Sequence, residues 1–137
     1  MKRNILNKKL LKIFTKNGLN KNHAKICSDA LINAELVGAY GHGLSRLKMY
    51  CDRINKKLIN PKPKIKIKKI SQSISHIDAD NSIGFVPADL AIKTAIKHAQ
   101  KTGIGMVAVK KSGHYGLSGY YAEQAVKKNL ITMIYTN

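Results

Sequence analysis

Hydrophobic residues recur every three to four positions through the first half of the chain and every second position soon after it. Helices are therefore expected first and strands later. Ile5, Leu6, Leu10, Leu11, Ile13 and Phe14 fall at helical spacing, and the stretch KNGLN stops the run. A second helix is expected from Asn22, a suitable N-cap, to Val37, with Ala24, Ile26, Cys27, Ala30, Leu31, Ala34 and Leu36 available for packing. Gly38, Gly41 and Gly43 mark a bend. A third helix is expected from about Leu44 to Lys57, where Leu47, Tyr50 and Ile54 repeat at three to four. Pro61 and Pro63 close this helical portion.

The period then changes to two. KIKIKKI, from Lys64 to Ile70, alternates basic and apolar residues, as a strand with one wet face does. Its lysines read as a solvated row that protects an edge. SISHIDAD continues as strand to an expected turn at Asp80–Asn81. A helix is expected from Val86 to Lys101, with Ala88, Leu90, Ala91, Ala95, Ile96 and Ala99 inward. IGMVAV, from Ile104 to Val109, is a nearly continuous apolar run of the kind found in buried strands. The loop KSGHYGLSGYY follows, then a helix to about Lys128 and the strand LITMIYT.

This order of elements is α/β. The expected organisation is a helical N-terminal portion over residues 1–60 and the first part of an α/β sheet domain over residues 61–137. Asn137 directly follows an apolar strand, where an α/β sheet normally turns into its next element. The sheet domain is accordingly expected to be truncated.

Composition changes this picture little. At 137 residues and 44% hydrophobic, the chain is long and apolar enough for a real core, which excludes global disorder. The charge is lopsided, with 25 Lys+Arg against 7 Asp+Glu and a formal net charge of +18. Such a balance raises the question of a nucleic acid or another anionic partner. Only Arg3, Arg46 and Arg53 are arginines, however, and the lysines are spread over almost every segment. The chain is also rich in Ile and Asn, the pattern of compositional drift on exposed faces. Cys27 and Cys51, without a partner motif, suit apolar packing in a reducing compartment. No metal-binding motif, signal core or membrane-length apolar run is present in the sequence, so a cytoplasmic protein without a membrane partner is expected.

Candidate chemistry concentrates in two places. His114 lies between Gly113 and Gly116, in a loop at the carboxyl end of an expected strand, where open α/β sheets place ligand sites. An imidazole there can act as general acid or base, or can simply bond a neighbouring carbonyl in a turn. His42, Arg46 and Tyr50 stand four residues apart, a step that brings side chains onto one face of a helix. Arg46 gains weight from its rarity, because a planar bidentate donor suits a carboxylate. The alternative for this trio is a partly exposed face with Tyr50 packed in the core. Gly113, Gly116 and Gly119 do not match the dinucleotide fingerprint G-x-G-x-x-G. His23, His76 and His98 stand without such company and read as surface or packing residues.

The stretches AELVGAYGHGLSRLKMYCDRI and IDADNSIGFVPADLAIKTAIKHAQKTGIGMVAVKKSGHYGLSGYYAEQA, with the closing IYTN, resemble the malate/L-lactate/ureidoglycolate dehydrogenase family. The HG-x-x-R block, DADNSIG and the S-G-H-x-G block, in this order, carry the likeness. The resemblance implies an NAD- or NADP-dependent oxidoreductase with a non-Rossmann α/β sheet domain, acting on a small 2-hydroxy or 2-keto acid as a homodimer. It implies that His114 is the catalytic histidine exchanging a proton with the 2-hydroxyl or 2-keto oxygen, and that His42 is a second active-site histidine. It implies that Arg46 holds the substrate carboxylate with Tyr50 beside it. Asn137 would open a segment that contacts the nicotinamide.

Members of that family are considerably longer. The chain is thus expected to be an N-terminal part of such an enzyme, or a non-catalytic remnant of one. The competing class is a small basic nucleic-acid-binding protein. It would need aromatic platforms for stacking, which six Tyr and two Phe, mostly in expected cores or the loop, do not supply.

Overall fold

The computed structural model describes residues 3–136. Its first two elements are helices α1 (Arg3–Lys16) and α2 (Lys21–Leu36). Asn20, rather than Asn22, caps α2: its side-chain oxygen accepts from the His23 amide at 2.8 Å. An N-cap carboxamide satisfies one of the orphan amides of the first turn, and the two-residue difference lies within ordinary uncertainty over helix ends. The inward faces of α1 and α2 meet through Leu10, Phe14, Ala24, Cys27 and Leu31, all buried.

The expected third helix begins late. Two single 3-10 turns, Tyr40–His42 and Leu44–Arg46, precede helix α3 (Leu47–Asn55). Tyr50 and Ile54 are the buried residues of α3 and join the core of α1 and α2. Lys57 then takes a positive φ of 58° and ends the helical portion.

The sheet contains strands β1 (Lys66–Lys69), β2 (Ile74–Ser82) and β3 (Met106–Ser112) in that spatial order. β1 runs antiparallel to β2, and β3 runs parallel to it after helix α4 (Phe85–Thr102), which makes a βαβ crossover. β1, expected to have one wet face, is exposed along its whole length, Ile67 included, as an edge strand paired with β2 alone. On central β2, Ser75, Ile77 and Ala79 point inward. The expected turn at Asp80–Asn81 is instead an irregularity within the strand. Both residues take positive φ (51° and 55°), and the β2–β3 register shifts between Asp78 and Ser82. Asp and Asn tolerate that conformation better than other side-chain-bearing residues. The Asp80 carboxylate also accepts from Asn60 Nδ2 and the Lys64 amide at 3.0 and 2.9 Å, tying the helical portion to the sheet.

Two strand expectations are corrected. β3, expected to be buried, is exposed except at Val107, because it has a neighbouring strand on one side only. The segment 130–136 forms no strand among the described residues. Helix α5 (Ser118–Val126) ends before it, and no strand lies beside the segment to complete a ladder. Its apolar alternation still has consequences: Leu130 and Ile134 pack against Ile92, Tyr121 and Ala125, whereas Ile131, Met133 and Tyr135 are 95%, 74% and 84% exposed. No helix among the described residues is long and apolar enough to cross a membrane.

Candidate active site

The segment from Leu36 to Leu47 is not one helical face, which corrects the expected geometry of His42, Arg46 and Tyr50. His42 ends one 3-10 turn, Arg46 ends the next, and only Tyr50 lies on α3. The cause is local. Gly43 packs directly against Glu35 of α2, where any side chain would collide with the carboxylate. That carboxylate accepts the Leu44 amide at 2.7 Å. Anchored there, the chain leaves the helical path for the length of the two turns. Glu35 carries no motif signal, because its bond to Leu44 spans nine residues and exists only after folding.

Three elements nevertheless converge. His114, in the loop after β3, places its Nδ1 2.7 Å from the hydroxyl of Tyr50, a residue 64 positions away. Its ring stacks on that of His42, with centroids 5.9 Å apart and planes 19° from parallel. The loop is held from beneath: the Gly113 amide donates to Ser82 O at 3.1 Å, and Gly84 at the start of α4 leaves no room for a side chain under His114. Gly116, at φ +80°, lies against the ring of Phe85, and Phe85 packs edge-on against Tyr50 with centroids 4.9 Å apart. Gly84 and Phe85 belong to the site's support; the sequence marks Gly84 only as the end of the DADNSIG block, and Phe85 carries no site signal.

Electrostatics follow from this grouping. Partial burial, then the nearby His42 and Arg46, hold the His114 imidazole below its ordinary value of 6.5. The neutral ring is therefore favoured near neutral pH. Tyr50 is fully buried, and that burial raises its phenol well above the ordinary range, while Arg46 pulls the other way. Arg46 thus acts electrically on both groups. Its Nε donates to Gly41 O at 2.8 Å, and its two terminal nitrogens have no partner among the described residues.

The other histidines lie elsewhere. His98 bonds Ser75 Oγ at 2.8 Å, His76 is exposed on β2, and His23 sits in the first turn of α2.

Two cavities lie away from this grouping. A cavity of about 350 Å³ lies between α4 and residues 129–132, lined by Ile92, Ala99, Ile104 and Leu130 among others, and none of His42, Arg46 or His114 borders it. A second, of about 260 Å³, is lined by Lys9, Lys12, Ile13 and Lys16 of α1. Asn137, the expected start of a nicotinamide-contacting segment, lies outside the described residues.

The chain matches, over residues 1–137, the family described as malate/L-lactate dehydrogenase. It belongs to that family. Family membership makes it part of an oxidoreductase lineage and agrees with its mixed α/β fold. Over 128 residues it is 44% identical to the malate dehydrogenase of Pyrococcus abyssi, covering 93% of this chain and 35% of that protein. The ureidoglycolate dehydrogenase (NAD(+)) of Escherichia coli is 32% identical over 114 residues, covering 83% of this chain and 33% of the relative. The structure of sulfolactate dehydrogenase from Methanocaldococcus jannaschii superposes with a TM-score of 0.90 at 36% identity, covering 94% of this chain and 38% of the other. The chain therefore spans about a third of the length of these relatives.

Proposed function

We propose that the chain supplies substrate-handling groups to a nicotinamide-dependent oxidoreductase that interconverts a 2-hydroxy acid and its 2-keto acid. The substrate is a small acid of the malate, lactate, sulfolactate or ureidoglycolate type, and the cofactor is NAD or NADP. The observation that carries this reading is the stacking of His42 on His114, both exposed, with Arg46 near enough to act on the charge of His114. Oxidation of a 2-hydroxy acid needs a group that accepts the hydroxyl proton and a cation that orients the carboxylate. His114 fits the first role, with His42 stacked beside it, and Arg46 fits the second through its free terminal nitrogens.

The same reading includes a homodimer and a cytoplasmic setting. Leu36, Val37 and Tyr40, all exposed next to the His42 turn, support a subunit contact near the site. The free cysteines Cys27 and Cys51 support a reducing compartment. Sedimentation that returns only monomer at every concentration removes the dimer from the reading.

The main test is a titration of the 15N-labelled chain with oxaloacetate, pyruvate and sulfopyruvate, followed by NMR. The side-chain signals of His114 and Arg46 are expected to move with at least one acid, and Arg46→Ala is expected to abolish the response. If none of the acids moves either signal, the reading is wrong.

A further inference from the structure

We infer that Tyr50 is a positioning residue that holds His114 as its Nε2–H tautomer, so that the resting site presents a hydrogen-bond donor to a 2-keto oxygen. The inference rests on the proposed function only in taking the open side of His114 as the substrate side.

Tyr50 faces the core. Its side chain is fully buried among core residues, and its hydroxyl has one hydrogen-bond partner among the described residues, His114 Nδ1 at 2.7 Å. A second group addresses the same nitrogen: the Gly116 amide lies 3.3 Å from Nδ1. A backbone N–H can only donate, so Nδ1 must offer its lone pair there. The buried phenol keeps its proton, and Nδ1 is the one acceptor within its reach. Leaving a buried hydroxyl hydrogen unpaired is costly. The Gly116 contact therefore requires an unprotonated Nδ1 and the Tyr50 contact favours it, and a neutral imidazole then carries its single hydrogen on Nε2. His114 is exposed, and no described residue bonds Nε2.

A direction of use follows. Nε2–H can donate directly to a carbonyl oxygen, as a bound 2-keto acid would present. To accept the proton of a 2-hydroxyl, Nε2 must first lose its hydrogen. The ring's one proton then resides on Nδ1, and the Tyr50 hydroxyl turns from donor to acceptor. A hydroxyl can make that exchange, whereas the Gly116 amide cannot. Tyr50 can follow the switch only by leaving its own buried hydrogen unpaired, and Gly116 cannot follow it, so both bias the ring towards the keto-binding state.

The test reads the ring itself, with no cofactor or substrate present. Long-range 1H–15N NMR on the full chain labelled at histidine reports which ring nitrogen is protonated. Wild type is expected to show Nε2–H almost exclusively, with a Tyr50 hydroxyl proton protected from exchange. Tyr50→Phe keeps the ring against Phe85 and removes only the donor. Its tautomer preference is expected to fall by about tenfold, the effect of one ordinary hydrogen bond. A wild-type ring protonated mainly on Nδ1 overturns the inference, and so does a Tyr50→Phe ratio equal to wild type. Should Tyr50→Phe fail to fold, the wild-type spectrum alone decides. Binding of 2-keto acids is a separate measurement, so a wrong tautomer and a wrong substrate class remain distinguishable.

Discussion

Replacing Gly84 by alanine is the sharpest perturbation the fold offers, because it acts on His114 without touching it. A Cβ on Gly84 would sit 2.6 Å from both the carbonyl carbon and oxygen of His114, and closer still to Gly113 O. These are backbone atoms on a loop fastened by the Gly113–Ser82 hydrogen bond, so no flexible side chain can yield. Relief requires the 113–114 backbone or the first turn of α4 to retreat by roughly an ångström, a scale at which overpacking typically costs about 1–3 kcal/mol. Because Phe85 follows Gly84 and touches both Tyr50 and Gly116, the displacement should reach the Tyr50–His114 bond. Urea denaturation is expected to show a loss of about 1–3 kcal/mol. The His114 ring signals should shift in the folded variant. In an active family enzyme, misplacement on this scale lowers turnover by about a hundredfold. A Gly84→Ala chain with unchanged stability and unchanged His114 signals would falsify the argument that α4 supports the loop.

Other outcomes follow from the same structure. Arg46→Lys should weaken 2-keto acid binding by about tenfold or more, since an ammonium cannot offer the paired terminal nitrogens of a guanidinium; calorimetry would check it. Phe14→Ala, at a fully buried position between α1 and α2, should destabilise the chain by about 3–5 kcal/mol in urea melts. His23 and His114 are both held below their ordinary 6.5 when folded, so the unfolded chain binds more protons as the pH falls below that value. Their contribution is present above the unfolded value and is lost as pH falls towards the folded ones. The urea midpoint should therefore drop as pH falls below about 6.5, and His114→Asn should flatten part of that slope. Met133→Lys, on the exposed face of residues 130–136, should reduce concentration-dependent association seen by light scattering without lowering stability.

Much of the fold was legible along the chain because its signals are local. Leu10 and Phe14 recur at helical spacing over several turns, and α4 spans Phe85–Thr102 where a helix was expected, although its expected inward residues are only half-buried and Ile92, outside that set, is buried. The lysines of Lys66–Lys69 did mark an exposed edge strand, though not that both of its faces would be wet. Misreadings fell where a distant partner decides. The LITMIYT pattern fits a strand, but a strand exists only if another lies beside it. Likewise IGMVAV has a buried strand's composition, yet β3 has a neighbour on one side only.

The candidate site divides in the same way. Residue type alone marked His114 within its glycines and Arg46 as a rare arginine, since the chemistry of an imidazole and a guanidinium does not depend on the fold. The helical step through His42, Arg46 and Tyr50 was misleading, because Glu35, brought near by α2, pulls the backbone at Leu44 out of the helix. Only tertiary structure brought Tyr50 to His114 across 64 residues and His42 onto the same ring. Periodicity and side-chain chemistry are properties of neighbours in sequence. Burial, tautomer and pairing depend on which neighbours the folded chain supplies.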